Sequence, residues 1–384
     1  MRPRRDGAGV RLRPRWPRLP PGFMLLAELA QKPHQRLPMH LAPPNWSFLA
    51  ALLPAFAKRP RPQHGPIASH MLVACLLVVA VLAGTVRPLA LWAEEPQPDF
   101  PPELTQFVPY EGNPLFTGAG PGNWDENIRE RGWIIKEEGQ YRMWYTGYSS
   151  ARPDLMMLGY ATSTDGLEWT RYEGNPLYDQ HWVEDMMVVR HEGTYFMFAE
   201  GARDRAHLLT SPDGIHWSRV GQLDVRCSSG EPLSEGPYGT PTAWIEDGTC
   251  YLFYERRDQG VWLARSRDMR VWTNVQDEPV LSPGPDAYDG ELIALNQVLK
   301  YAGRYYAWYH GSGSKPAEGA RQWTTNLAVS HDLRHWKKYP GNPVLQQNQS
   351  SGIVVEESPG RFRLYAMHPE VRVHLAAERG PVKR

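Results

Sequence analysis

Carboxylates recur in this 384-residue chain at positions where a proton could be given or taken. The sharpest pair is Glu184-Asp185, adjacent residues ahead of an apolar run, and Glu130 stands between Arg129 and Arg131 at the same point of an earlier segment. Glu255 and His310 close two later aromatic runs, as Glu200 closes another. Asp125 and Glu235 sit further upstream of their segments, in Trp124-Asp125-Glu126 and Glu235-Gly-Pro237. Such groups serve acid–base chemistry if one is held protonated and another ionised. The same residues could instead bond backbone amides or neighbouring arginines. On a strand, adjacent side chains face opposite ways, so only one of Glu184 and Asp185 can point straight at a common site.

The elements that position these residues are repeats. An aromatic run recurs at Tyr141-Arg-Met-Trp, Tyr195-Phe-Met-Phe, Tyr251-Leu-Phe-Tyr, Tyr305-Tyr-Ala-Trp and Phe362-Arg-Leu-Tyr. Before each comes an apolar run and a turn, from Glu138-Gly139 and Glu192-Gly193 to Pro359-Gly360, which supplies the positive φ of a tight hairpin. A third short run follows, and then Ser163-Thr-Asp-Gly-Leu-Glu-Trp169 or its counterparts ending at Trp217, Trp272 and Trp336. Four short strands per unit with no helical period read as the blade of an all-β propeller.

Five aromatic runs mean five blades of four antiparallel strands. The fifth lacks an outer strand of its own, but Phe107-Val-Pro-Tyr-Glu-Gly-Asn-Pro-Leu-Phe116 copies Trp169-Thr-Arg-Tyr-Glu-Gly-Asn-Pro-Leu-Tyr178. An N-terminal strand is therefore expected to close the ring and leave no long free edge. In this phase the site lies about ten or eleven residues before each aromatic run and just after it. Trp124, Trp182 and Tyr238 stand near blade entries, where an aromatic face can stack on a ligand ring.

The formal net charge of zero hides an asymmetry. Residues 1–70 carry 12 Lys/Arg against 2 Asp/Glu, and residues 71–384 carry 30 against 40. The Pro- and Arg-rich 1–70 segment is expected to lack a packed core or to reflect a start placed too early. Residues 71–93 have the apolar length and small-residue exit of a signal peptide, and 94–384 form the propeller. A secreted or periplasmic domain follows, and its acidity argues against nucleic acid or an anionic membrane surface as partner. No zinc or haem ligand pattern is present, so no cofactor is expected. Cys227 and Cys250 lack motif spacing and are expected to be buried or free, although export would permit their pairing.

Five blades, the Ser-x-Asp-Gly-x-x-Trp turn and the Gly-Asn-Pro linkers resemble the glycoside hydrolases of the arabinanase, β-xylosidase, invertase and levansucrase group (families 43, 32 and 68). The resemblance covers nearly all of residues 104–375. It implies hydrolysis of a poly- or oligosaccharide by three carboxylates from the first three blades. By that likeness Glu130 or Asp125 would be the base, Asp185 the transition-state stabiliser, and Glu235 or Glu255 the acid. Trp124, Trp182, Glu184, Tyr238 and His310 would bind substrate. Glu235-Gly-Pro matches the acid motif by letter but lies ahead of the blade register, which keeps a non-catalytic carbohydrate-binding propeller as the alternative.

Overall fold

A computed structural model describes residues 98–377 except Glu235 and Ala317. The basic segment, the segment expected to be a signal peptide and Glu235 thus lie outside the described residues. Five antiparallel sheets follow one another along the chain. Blade one comprises Asn127–Glu137, Gln140–Tyr148, Met157–Ser163 and Thr170–Arg171, and blade two Glu184–His191, Thr194–Gly201, Arg205–Ser211 and Ser218–Gln222. Blade three has Gly239–Glu246, Thr249–Glu255, Val261–Ser266 and Val271–Asn274, and gains a fifth strand, Asp224–Arg226, parallel to the last. Blade four runs through Leu292–Tyr301, Arg304–Ser312, Thr324–Ser330 and Trp336–Lys338. Blade five has Ile353–Ser358, Arg361–Ala366 and Arg372–Ala376, and Phe107–Pro109 completes it, with Phe107 opposite Ala376 and Pro109 opposite His374. This is the ring closure the repeated sequence requires.

The repeated residues now have physical reasons. In each Ser-x-Asp turn the serine hydroxyl bonds the aspartate, whose carboxylate accepts two backbone N–H groups; Ser163 with Asp165 and Ser211 with Asp213 are two copies. The asparagine of each Gly-Asn-Pro linker pairs with one residue of the third strand as a backbone would. Asn175 bonds the N–H and C=O of Tyr160, Asn342 those of Leu327, and Asn113 those of Val373. Tryptophans weld neighbouring blades: Trp217 meets Trp144, Trp272 meets Phe198, and Trp336 meets Phe253, with ring centroids 5.8–6.3 Å apart. Phe107 takes the tryptophan's place against Trp308, at 6.0 Å. Apolar burial between blades therefore holds the ring.

The inner strands break their ladders near one end. Register shifts fall at Arg129/Trp133, Glu184/Met187, Gly239/Thr242 and Leu295/Gln297. Glu130, Asp185 and Thr240 occupy these bulges with φ of 54°, 44° and 44°, and Ser351 of blade five has φ 54°. Left-handed backbone is costly for residues with a Cβ, and it concentrates where a bulge re-aims a side chain. Among the described residues no helix is long and apolar enough to cross a membrane. Cys227 and Cys250 are both free thiols, the second buried.

Candidate active site

The re-aimed residues meet in a cavity of about 260 Å3 at the end of the ring where the inner strands begin. Seven carboxylates line it: Glu130, Glu184, Asp185, Glu200, Asp204, Glu255 and Asp258, with Arg129, Arg257, Thr240, His310, Trp323 and Ser350. Glu130, Glu184 and Asp185 come from inner-strand starts. Glu200 and Glu255 end the second strands of blades two and three, directly opposite Glu184 and Gly239. The hairpin reverses the chain, so both ends of each pair reach one face.

Glu200 and Glu255 converge because Gly239 has no side chain. A Cβ there would collide with Glu200 Oε2 and Glu255 Oε1 together. Consecutive amides hold them: Gly239 N–H donates to Glu255 Oε1 (3.0 Å) and Thr240 N–H to Glu200 Oε2 (2.8 Å). Asp258 N–H donates to the second Glu255 oxygen at 2.5 Å. Arg256, placed by sequence beside Glu255, turns instead to Ser234 (3.0 Å). Burial pushes Glu255 up to about 7.

Burial raises the neighbours as well. Glu184 is pushed up to about 8 by burial and then by Asp185, although Arg129 pairs with it at 2.8 Å and the Trp182 indole donates to it at 2.6 Å. Asp185 is pushed up to about 6 by burial and Glu130, while the Arg131 amide donates to it at 3.1 Å. Glu200 lies well above the usual carboxylate range through burial, Asp185 and Glu184. Asp258 reaches about 8 through burial, Glu255 and Asp185. Crowded, half-dry carboxylates cannot all ionise, which supplies the protonated acid that this chemistry needs. Glu130 is more open and is joined to Arg129 at 2.9 Å, with His368 3.7 Å away.

Beneath the carboxylates Arg131 is fully buried and closes the channel. Its guanidinium donates to Thr242 Oγ1 (2.6 Å) and to the carbonyls of Pro241 (2.7 Å), Asn296 (2.8 Å) and Asp185. His310 is pushed down to about 3 by burial and Arg131, and its Nδ1 lies 3.0 Å from the Asn296 amide.

Of the residues singled out from sequence, Glu130, Glu184, Asp185, Glu200, Glu255 and His310 meet in this cavity. Trp124, Asp125, Trp182 and Tyr238 do not line it. Asp125 is 2 % exposed and accepts bonds from Tyr145 (2.9 Å) and Arg171 (2.8 Å), joining the second and outer strands of blade one. Asp289 repeats that arrangement in blade four with Tyr309 (3.0 Å) and Lys338 (2.5 Å), so it belongs to blade architecture. Tyr238 is buried, its hydroxyl bonded to Leu223 and Gln222, and Trp124 stacks on Tyr145. Trp182 lines an adjoining pocket and touches the cavity through Glu184. Asp204, Asp258, Trp323 and Ser350 escaped the sequence reading because they stand in connections outside the strand register. Asp125→Asn is expected to cost about 1–3 kcal/mol in thermal or denaturant unfolding while leaving turnover per folded molecule unchanged. A large fall in kcat with intact stability would return Asp125 to the catalytic set.

Solved proteins of the same architecture include ones that process carbohydrates. One solved structure, from the GH130 family of mannoside phosphorylases and of hydrolases that target β-1,2-mannosidic linkages in Candida mannan, aligns with a TM-score of 0.55 at 16% identity, covering 71% of this chain and 96% of that one. The catalytic domain of a GH62 α-L-arabinofuranosidase from Coprinopsis cinerea aligns with a TM-score of 0.51 at 10% identity, covering 71% and 96%. These likenesses establish a glycoside hydrolase-like five-bladed fold, and they involve families 130 and 62 where the sequence motifs suggested 43, 32 and 68.

In sequence, the chain is 26% identical over 171 residues to a 1,2-β-oligomannan phosphorylase of Thermoanaerobacter, covering 41% of this chain and 54% of that protein. It is 30% identical over 138 residues to an uncharacterized protein of Mycobacterium tuberculosis, covering 33% and 42%. The chain thus spans about half the length, or less, of the curated relatives it matches. No family model matches.

Proposed function

We propose that this chain is an exported glycoside hydrolase acting on mannose-containing oligosaccharides, β-1,2-linked mannosides first among them. The observation that carries the reading is the convergence of seven carboxylates on one cavity, several held above their usual range by burial. In this scheme Asp258 gives its proton to the departing glycosidic oxygen. Glu130 takes a proton from the water that attacks the anomeric carbon, so the bond breaks with no net charge left on the sugar. Asp185 supplies negative charge beside the developing oxocarbenium ion.

Phosphorolysis is the rival, since the Thermoanaerobacter relative is a phosphorylase. Pairing of the cavity's cations favours water. Of the two arginines lining it, Arg129 is already paired with Glu130 and Glu184, which leaves Arg257 alone to meet a phosphate dianion. With β-1,2-mannobiose, mannose alone should form at the same rate with or without inorganic phosphate. Phosphate-dependent release of mannose 1-phosphate would make the protein a phosphorylase. Saturable binding of mannosides without turnover would make it a carbohydrate-binding propeller.

A further inference from the structure

A second pocket of about 170 Å3 adjoins the acidic cavity and has the opposite character. Its walls are His181, Trp182, Gly201, Ala202, Arg205, His207, Arg219 and Gln222, with no carboxylate among them. Arg205 stacks over the Tyr238 ring, 5.4 Å from its centroid, and Arg219 is exposed. Among the described residues neither guanidinium has a carboxylate partner. His207 is 3 % exposed, and its Nε2 is buried without a hydrogen-bond partner.

Two unneutralised arginines and an orphaned ring nitrogen on one concave wall amount to unspent capacity for an oxyanion carrying a hydroxyl, since a buried polar atom ordinarily finds a partner. The pocket is coupled to the cavity by two residues. Trp182 lines it and donates its indole N–H to Glu184 on the other side. Gly201 lines it and follows Glu200.

We infer that this pocket receives a phosphate monoester carried by a sugar whose neighbouring residue occupies the acidic cavity. Two guanidinium groups match the two charges of a monoester, and each can bond it in bidentate fashion. The substrate class narrows accordingly, from mannosides to phosphorylated mannosides. The inference rests on the proposed carbohydrate reading for the sugar, whereas the anion site stands on its own residues.

Direct calorimetric titration tests it without requiring turnover. The full-length protein is titrated with mannose 6-phosphate, mannose and inorganic phosphate, and so is Arg219→Gln, which alters an exposed side chain outside the acidic cavity. Mannose 6-phosphate should bind at least about 10-fold more tightly than either mannose or inorganic phosphate, and Arg219→Gln should remove most of that advantage. No preference for the phosphorylated sugar over mannose would overturn the inference, as would an unchanged preference in Arg219→Gln. Equal binding of inorganic phosphate would replace a substrate subsite with a free-anion site and so overturn it too. Hydrolysis of neutral β-1,2-mannobiose by the same samples reports separately on the acidic cavity.

Discussion

Asp258→Asn is expected to lower kcat on β-1,2-mannobiose by about 10²–10⁴, the range over which a positioned general acid contributes. The substitution keeps the size of the side chain. It also keeps the backbone N–H that Glu255 accepts at 2.5 Å, so the turn after the second strand should survive. What disappears is the proton. Asp258 retains it up to about pH 8 because burial, Glu255 and Asp185 all oppose ionisation. An acid works when protonated, so wild-type kcat should fall as pH rises through about 8, and that limb should vanish in the variant. Leaving-group chemistry separates this role from mere damage. An aryl mannoside with an acidic phenol needs no protonation, so Asp258→Asn should retain far more activity on it than on mannobiose. Glu130→Gln, which removes the base, should be crippled on both substrates. An Asp258→Asn enzyme with wild-type kcat and an unaltered alkaline limb would remove Asp258 from the mechanism.

How much of this was legible in the sequence follows from what a repeat can encode. Period and turn chemistry recur in every blade, so the five-blade count and the closing strand at Phe107–Pro109 could be read from spacing alone. The same phase pointed to Glu130 and Asp185, because the bulge that turns them inward recurs at a fixed distance from the aromatic run. The rest of the cavity is built where the repeats differ. Asp204 and Asp258 lie in second-to-third strand turns of unequal character, and no periodicity predicts which way a turn residue faces. Asp125 misled for a related reason. Its Trp-Asp sequence matched a catalytic pattern by letter, whereas Tyr288-Asp289 in blade four held the internal clue that this aspartate braces a blade. Arg131 was visible only as a possible partner for Glu130. That an arginine should be drawn fully inside depends on carbonyls converging from blades two, three and four, a property of the closed ring rather than of any one repeat.

That convergence makes Arg131 the residue whose loss should matter most to the fold. Arg131→Met retains much of the aliphatic length but leaves the carbonyls of Asp185, Pro241 and Asn296 and the Thr242 hydroxyl without their donor. Removing one member of a buried ionic network costs about 3–5 kcal/mol, since the partners stay desolvated. For a domain of this size the loss should lower Tm by roughly 6–20 °C. Arg131→Lys keeps the charge but lacks the planar fork that reaches three blades, so it should fall between wild type and Met. The effect should also depend on pH. Arg131 remains charged, burial bringing it down only to about 10, and it opposes the rise of the Asp185 pKa. The folded Asp185 titrates above its unfolded value, so it destabilises the native state increasingly as pH climbs from about 4 through 6. Without the cation that ionisation becomes harder still, and the gap between Arg131→Met and wild type should be wider at pH 8 than at pH 5. Thermal unfolding at the two pH values measures both quantities. A variant as stable as wild type at each pH would show that the blades close without their central cation.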